Sequence, residues 1–381
     1  MNHYFCRMNF PHEIWLALFI VFCLAILTQL YYQLYFFRRL AFYQPKKKSQ
    51  SQEYPVSVII CGRDEAHNLA KNLPGVLVQD YKSTHEVIVI NDNSTDESKY
   101  LLDEFRKSFK NLVPVPLTQE AKMIPGKKFP LSIGIKTAKY EIVLLTDADC
   151  VPASEHWMKK MQDGFEPGID IVLGYGAYRK LPGLLNKLIR FETFHTALLY
   201  LSYALAGKTY MGVGRNLAYK KDLFFKNKGF SSINHIPGGD DDLFINKVST
   251  QTNTAIVIEP DAHTVSEPKK RWSDWTRQKF RHYTTAKYYK SSHKLSLGLY
   301  TFSHILIYPL GIVCGLFFNW WITLALFLLR LGVQGFIYKK AMNRLNENDL
   351  WPLFIFFDIW MFIYYFLFAP ALWKKPKKTW N

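Results

Sequence analysis

The sequence predicts an α/β domain with a mainly parallel sheet, set between an N-terminal membrane anchor and an apolar C-terminal region. Three observations lead there. Short, nearly unbroken β-branched runs at residues 56–61, 87–90 and 142–145 are of the kind found in strands buried on both faces. Helix-like stretches near residues 66–77, 97–109 and 127–139 alternate with them, as parallel crossovers require. Long apolar segments with basic flanks stand on either side of this block.

The first apolar segment, residues 14–37, is interrupted by Thr28, Gln29 and Gln33 alone. At a rise of about 1.5 Å per residue it is long enough to cross a hydrocarbon core of roughly 30 Å. It is too long for a signal-peptide core, and Arg38, Arg39, Lys46, Lys47 and Lys48 follow it in place of a small-residue cleavage site, so it is expected to be a retained anchor. Residues 41–53 then form a basic linker. The folded domain is expected over residues 54–294, followed by a membrane region at 295–381 with up to three spans, at 297–318, 320–338 and 351–373, and a basic tail. Trp and Tyr near the segment ends suit interfacial anchors.

Formal net charge is +17, from 48 Lys and Arg against 31 Asp and Glu. The excess sits beside apolar segments: Arg38 to Lys48, Lys339 and Lys340, and Lys374 to Lys378. That placement fits the positive-inside bias and anionic headgroups better than nucleic acid. Four full crossings would put the first and last clusters on opposite faces, against the bias; either one C-terminal segment does not cross, or the last cluster defies it. The five cysteines, Cys6, Cys23, Cys61, Cys150 and Cys314, show no CxxC spacing, which argues against a disulfide framework or zinc site and for a reducing compartment.

Residues 181–206 are rich in Leu, Phe and Tyr but carry Lys187, Arg190, Glu192 and His195. Charges at that density are costly at a bilayer centre, so an amphipathic helix on the membrane or packed on the domain is expected rather than a span.

Ligands of parallel α/β sheets bind beyond the carboxyl ends of the strands. Three such ends are acidic: Arg63-Asp64-Glu65, Asp92 with Asp96, and Asp147-Ala148-Asp149. Two carboxylates leaving one turn, Asp147 and Asp149, offer the hard oxygen ligands that suit Mg²⁺ or Mn²⁺, whose shells substrate phosphates complete. A further group, Asp240-Asp241-Asp242, follows Gly238 and Gly239. Adjacent acids repel, so one with a raised pKa would suit a general base; a solvated helix N-terminus fits the same residues. Arg271-Trp272 and the stretch from Gln278 to His282 fit either a diphosphate contact or a basic helix ahead of a span.

In their order these pieces resemble the membrane-bound branch of the family 2 glycosyltransferases, which includes cellulose, chitin and hyaluronan synthases and lipid-linked sugar transferases. The likeness runs from about Pro55 to His282. It implies a GT-A type nucleotide-sugar-binding fold and an inverting, metal-dependent transfer. By resemblance, Arg63, Glu65, Asp92, Lys127, Asp147, Gln278, Arg281 and His282 would bind the donor. Asp149, with Asp147, would hold the metal, and Asp240 would be the general base, with Asp241 second. Asn91 stands where an Asp is common, Gly239 replaces an acid or Thr before the base, and His282 replaces the family's Trp. Gly214, Arg215 and Asn216 form a glycine-containing loop close before Asp240 in sequence and are assigned to the acceptor side.

The implied partners are a nucleotide sugar, a UDP-sugar in first place, a lipid or glycan acceptor, and the plasma membrane with the domain on its cytoplasmic face; no nucleic acid is expected. Lys127 does not belong to a P-loop, because Ala121 and Lys128 occupy positions that need Gly and Ser or Thr. His195, His235 and His263 lack metal spacing. Asp358 lies inside an apolar run and is expected to face a lipid head or another helix. The rival reading is a transporter or scaffold with a silent nucleotide-binding domain; sparse polar residues in the spans and the intact Asp147, Asp149 and Asp240 speak against it.

Overall fold

The computed structural model describes residues 12–45, 53–118, 124 and 126–373. Lys46 to Lys48, Lys374 to Lys378 and Cys6 lie outside the described residues.

Ten strands form two sheets: β1 (Val56–Gly62), β2 (His85–Asp92), β3 (Leu112–Leu117), β4 (Ile142–Asp147), β5 (Cys150–Pro152), β6 (Ile171–Leu173), β7 (Gly176–Tyr178), β8 (Leu217–Lys220), β9 (Thr254–Ile256) and β10 (Thr264–Ser266). The large sheet has the order β3-β2-β1-β4-β8-β6-β9, and the small one β5-β10-β7. β1 to β4 are mutually parallel, and β8 alone runs antiparallel to its neighbours β4 and β6. The three β-branched runs are therefore strands, and helices Ala66–Leu77, Ser98–Ser108 and Lys128–Thr137 are the crossovers between them.

Alternation along each strand divides the core. Ile59, Cys61, Ile88, Ile90, Val143 and Leu145 face helices Lys128–Thr137 and Leu184–Leu205, whereas Val58, Ile60, Val87, Val89 and Leu144 face helix Ala66–Leu77 and Trp157. Helix Lys128–Thr137 comes very close to the sheet at Gly134, where a Cβ would stand 2.6 Å from Ile59 Cγ2.

Among the described residues four helices are long and apolar enough to cross a membrane: Glu13–Ala41, Ser291–Phe317, Trp320–Arg344 and Asn348–Leu372. The first two run antiparallel, with Trp15 stacked on Phe317 at 4.8 Å at one end and Tyr32 OH donating to the Ser296 carbonyl at 2.6 Å near the other. Between them Gln29 donates to the Tyr300 carbonyl and to Ser303, each at 2.8 Å. Asp358 faces other helices: it accepts from Arg330, from Gln334 at 2.8 Å and from Tyr308 at 2.6 Å. An isolated charge there would be expensive, so these partners fix where three helices cross.

Helix Leu184–Leu205 has no solvated polar face; sixteen of its 22 residues are buried. Its charges are compensated from outside the helix. Arg190 Nε donates to Glu347 at 2.9 Å and its NH1 to Asp349 at 2.8 Å, Glu192 pairs with Lys279, and His195 shares a 3.0 Å hydrogen bond with Tyr300. Tyr175 OH also donates to Glu347 at 3.0 Å. Removing one member of a buried pair strands the other, which costs about 3–5 kcal/mol. Glu347→Ala is therefore expected to lower the melting temperature of the detergent-solubilised protein sharply. Asp349→Ala, whose carboxylate is half in water, should shift it by the equivalent of about 1 kcal/mol or less.

Candidate active site

The register of β1 places Gly62 beside Asn91 of β2 and Cys61 beside Asp147 of β4, so three acidic turns leave the sheet side by side. The first two interlock. Asp64 Oδ1 accepts from the Thr95 amide at 2.7 Å, and Asp96 Oδ2 from the Ala66 amide at 2.9 Å. Asp64 and Asn93 both have positive φ, 56° and 54°, which short polar side chains tolerate best after Gly. Arg63 is exposed at the rim, Glu65 is half-buried, and Asp92 is buried at the end of β2. Glu65 lies against Ala148: a Cβ on Gly62 would stand 3.3 Å from the Glu65 Cβ and 3.7 Å from that of Ala148. Burial raises the Glu65 pKa, and the Asp149 and Asp147 charges add to it.

The turn after β4 gathers Asp147, Asp149 and Cys150 with ligand atoms within 4.8 Å of one another. Asp147 is ion-paired to Lys127. Burial opposes its ionisation, but Lys127, with Arg215 and Arg281 behind it, outweighs burial and holds the carboxyl below its ordinary range. At Asp149 burial and the Asp147 charge outweigh Arg215 and Lys269 and push the pKa up. Cys150 donates to Asp149 at 3.3 Å and shares a 2.9 Å hydrogen bond with Ser266 of β10, and burial drives its thiol far above the usual value. The thiol is thus a neutral neighbour, and the carboxylates alone make a hard donor set. Two carboxylates with room for substrate phosphates are what Mg²⁺ or Mn²⁺ takes, so the residues present fit such an ion.

The loop before helix Asp242–Val248 carries the other acids. Gly238 and Gly239 have φ of 81° and 84°, which lets the chain turn beneath Gly126, itself at φ 79°. Lys128 holds the loop by donating to the carbonyls of Ile236 and Gly238, the latter at 2.6 Å. The three acids have separate partners. Asp242 is buried and accepts from Thr285 at 2.6 Å and Tyr289 at 2.8 Å. Asp241 accepts from the Gly214 amide at 2.8 Å and the Asp242 amide at 2.7 Å. Asp240 instead acts on Lys127: burial works against that ammonium, but Asp147, the Cys61 thiol and Asp240 together hold its pKa above the usual lysine range. The charges of the turn after β4 and of the 238–240 loop therefore both act on one lysine.

Helix Trp272–Tyr283 carries the remaining sequence-predicted donor residues. Gln278 is half-buried, while Arg281 and His282 are solvent-accessible, and the field of Arg281 reaches Asp147. Lys279 is buried in its pair with Glu192.

Two readings of the glycine-containing loop change. Asn216 does not reach a ligand: it is fully buried, receives the Trp157 indole N–H at 3.0 Å, and donates to the carbonyls of Tyr175 at 3.0 Å and Ala262 at 2.8 Å. Arg215 turns to the β4 side, with its guanidinium 4.4 Å over Tyr178, donating to the Gly176 carbonyl at 3.0 Å, and its charge acts on Asp149 and Asp147. Sequence reasoning passed over Lys128, Ser266, Thr285 and Tyr289. The Lys127-Lys128 pair at a helix start was a usable signal for the first; nothing in sequence marked the others.

A mostly parallel sheet with acidic turns beyond its strand ends and a small second sheet beside them is a GT-A type α/β domain. Residues 57–226 match the model of Glycosyl transferase family 2, and the chain carries a family 2 glycosyltransferase domain. It is 27% identical over 163 residues to the poly(ribitol-phosphate) beta-glucosyltransferase of Bacillus spizizenii, covering 43% of this chain and 24% of that protein. It is 28% identical over 149 residues to the poly-beta-1,6-N-acetyl-D-glucosamine synthase of Staphylococcus epidermidis, covering 38% of this chain and 34% of that protein. The chain thus spans about a quarter and about a third of those two relatives. In fold it is similar to a mannosyltransferase from Pyrobaculum calidifontis solved in complex with GDP-Man and Mn²⁺. The TM-score is 0.56 at 20% identity, over 92% of this chain and 99% of that one.

Asp241 provides a test of the site's electrostatics. Its pKa is pushed up to about 8, by burial first and then by the Asp240 and Asp242 charges. Between the ordinary carboxylate range and pH 8 the folded chain then holds a proton that the unfolded chain has lost, so stability falls as pH rises through that window. Asp241→Asn should therefore gain thermal stability relative to the parent between pH 5 and pH 8, by at most about 1.4 kcal/mol per pH unit. Melting curves of the solubilised proteins at each pH read this directly, and a constant difference would mean that Asp241 is ionised throughout.

Proposed function

We propose that the chain is a membrane-bound inverting glycosyltransferase that moves a sugar from a nucleotide donor, a UDP-sugar in first place, to a lipid-linked or glycan acceptor at the cytoplasmic face. Residues 54–294 form its transferase domain. The observation that carries this reading is that Lys127, ion-paired to Asp147, also feels the Asp240 charge, with Asp149 beside Asp147 and the field of Arg281 reaching Asp147. Carboxylates from distant parts of the chain and the cations that a diphosphate needs, Lys127, Arg215 and Arg281, act on one another electrostatically.

Arg63, Glu65 and Asp92 lie where the nucleoside would sit, beyond β1 and β2. Lys127, Arg281, Gln278 and His282 surround the diphosphate position, with Lys127 also keeping Asp147 ionised. Asp149, with Asp147, would hold Mg²⁺ or Mn²⁺, which supplies positive charge to the leaving diphosphate; the Mn²⁺ of the archaeal mannosyltransferase supports this assignment. Asp240 takes the proton of the acceptor hydroxyl as its oxygen bonds to the anomeric carbon. The bond from that carbon to the diphosphate oxygen breaks on the opposite face, and the nucleoside diphosphate departs. Asp240 is suited to this because Asp241 and Asp242 are each committed to protein donors. Gly214 is held by Asp241 near this side of the cleft, where the acceptor would enter.

The test is release of nucleoside diphosphate from a panel of UDP- and GDP-sugars by the purified protein, with Mn²⁺ or Mg²⁺ and native membranes as acceptor. Asp240→Asn should lower turnover by about 10²–10⁴-fold while Mn²⁺-dependent binding of the nucleotide persists. Asp149→Ala should lose both. Intact donors throughout, with Asp149→Ala behaving as the parent, would replace this reading with a scaffold.

A further inference from the structure

Three of the four apolar helices behave as spans. Glu13–Ala41 and Ser291–Phe317 pair lengthwise, and Trp320–Arg344 packs beside both. The last one, centred on helix Phe354–Phe368, behaves otherwise, because both of its ends are tied to the same side of the molecule. At its start, Glu347 and Asp349 hold Arg190 of the catalytic domain, and Tyr175 OH reaches Glu347. At its end, Phe368 packs on Trp275, Phe280 and Tyr283, with ring centroids 5.8, 5.2 and 5.8 Å away, and the turn Ala369–Leu372 touches helix Trp272–Tyr283. Between the ends, Phe357 stacks on Phe191 at 4.2 Å, while Trp360 and Tyr364 lie 6.4 and 6.2 Å from Trp275.

Helix Trp272–Tyr283 thus accompanies the last apolar helix from Trp360 to Phe368, and it exposes Arg277 and Arg281. Those guanidinium groups would enter hydrocarbon if the apolar helix stood upright as a span, which a bilayer does not accommodate. Of that 25-residue segment fifteen residues, about 22 Å, are α-helix, with 3₁₀ turns before and after. The face turned away from the domain is apolar: Ile355, Phe356, Ile359, Ile363, Phe366 and Leu367 are all exposed.

We propose that helix Phe354–Phe368 lies in the plane of the membrane, in the headgroup–acyl boundary of the leaflet that faces the catalytic domain. The chain then crosses the bilayer three times. The occupant of the exposed strip is the lipid of that leaflet, since the two apolar helices that it packs against expose apolar residues as well, among them Leu299, Phe302, Ile312, Leu324 and Leu328. Three crossings also put Arg38 and Arg39, Lys339 and Lys340, and the lysines after Trp373 on one side, as the positive-inside bias asks.

Two measurements on the full chain in sealed vesicles test this. A protease-cleavable epitope after Asn381 should be digested from the catalytic-domain side, and one before Met1 from the opposite side; both epitopes on one side would overturn the proposal. Nitroxide labels at Ile355→Cys and Ile363→Cys, with the parent's own labelling as blank, should report equal depths by oxygen and nickel-chelate collision. An upright helix would separate them by about 12 Å, and that result would also sink the idea. Both readouts report position in the bilayer and not turnover, so their failure is distinguishable from failure of the transferase reading.

Discussion

The buried charges of helix Leu184–Leu205 are the constraint on which the rest of the architecture depends. Arg190, Glu192 and His195 sit in an otherwise apolar, aromatic layer, and each is neutralised or hydrogen-bonded by a different part of the chain: the 345–350 loop, helix Trp272–Tyr283 and helix Ser291–Phe317. Taking an ion out of water costs several kcal/mol unless its partner is in place. Apolar contacts alone would let these elements slide; point charges do not. The transferase domain, the helix over its cleft and the membrane helices are therefore docked in one register.

That register reaches the cleft. Lys279 is one position from Gln278 and two from Arg281, so the pair with Glu192 sets where those side chains project. On the other wall, Lys127 and Lys128 divide the work: one meets the carboxylates, the other pins the loop that brings Asp240 to them. Three consecutive acids acquire different environments because two are tied to Gly214, Thr285 and Tyr289, while the charge of the third acts on Lys127.

Strands buried on both faces were legible because β-branched runs such as Val56–Gly62 have few other uses, and the crossover helices followed from the alternation. β3 was not, since Pro114 and Pro116 argue against a central strand; it is an edge strand, where prolines two apart turn their missing N–H groups the same way, outward from β2. The three-residue strands of the small sheet are too short to show a period. Among the site residues, acids after strand ends stood out, and the register of β1 sets those turns side by side. Asn216 misled because a polar residue after two glycines looks exposed, whereas its amide closes hydrogen bonds to residues more than 40 positions away. Partners so distant in sequence leave no local pattern.

The lengthwise pairing of the anchor with helix Ser291–Phe317 bears on how the molecule is made. Gln29 finds its acceptors 271 and 274 residues downstream. At ribosomal speeds of about 5–20 residues per second, roughly a quarter of a minute to a minute separates insertion of the first segment from synthesis of its mate. Through that interval the Gln29 amide lacks the two acceptors that it has in the finished fold. The helix that opens the chain is thus fixed in place only once most of the chain has been made.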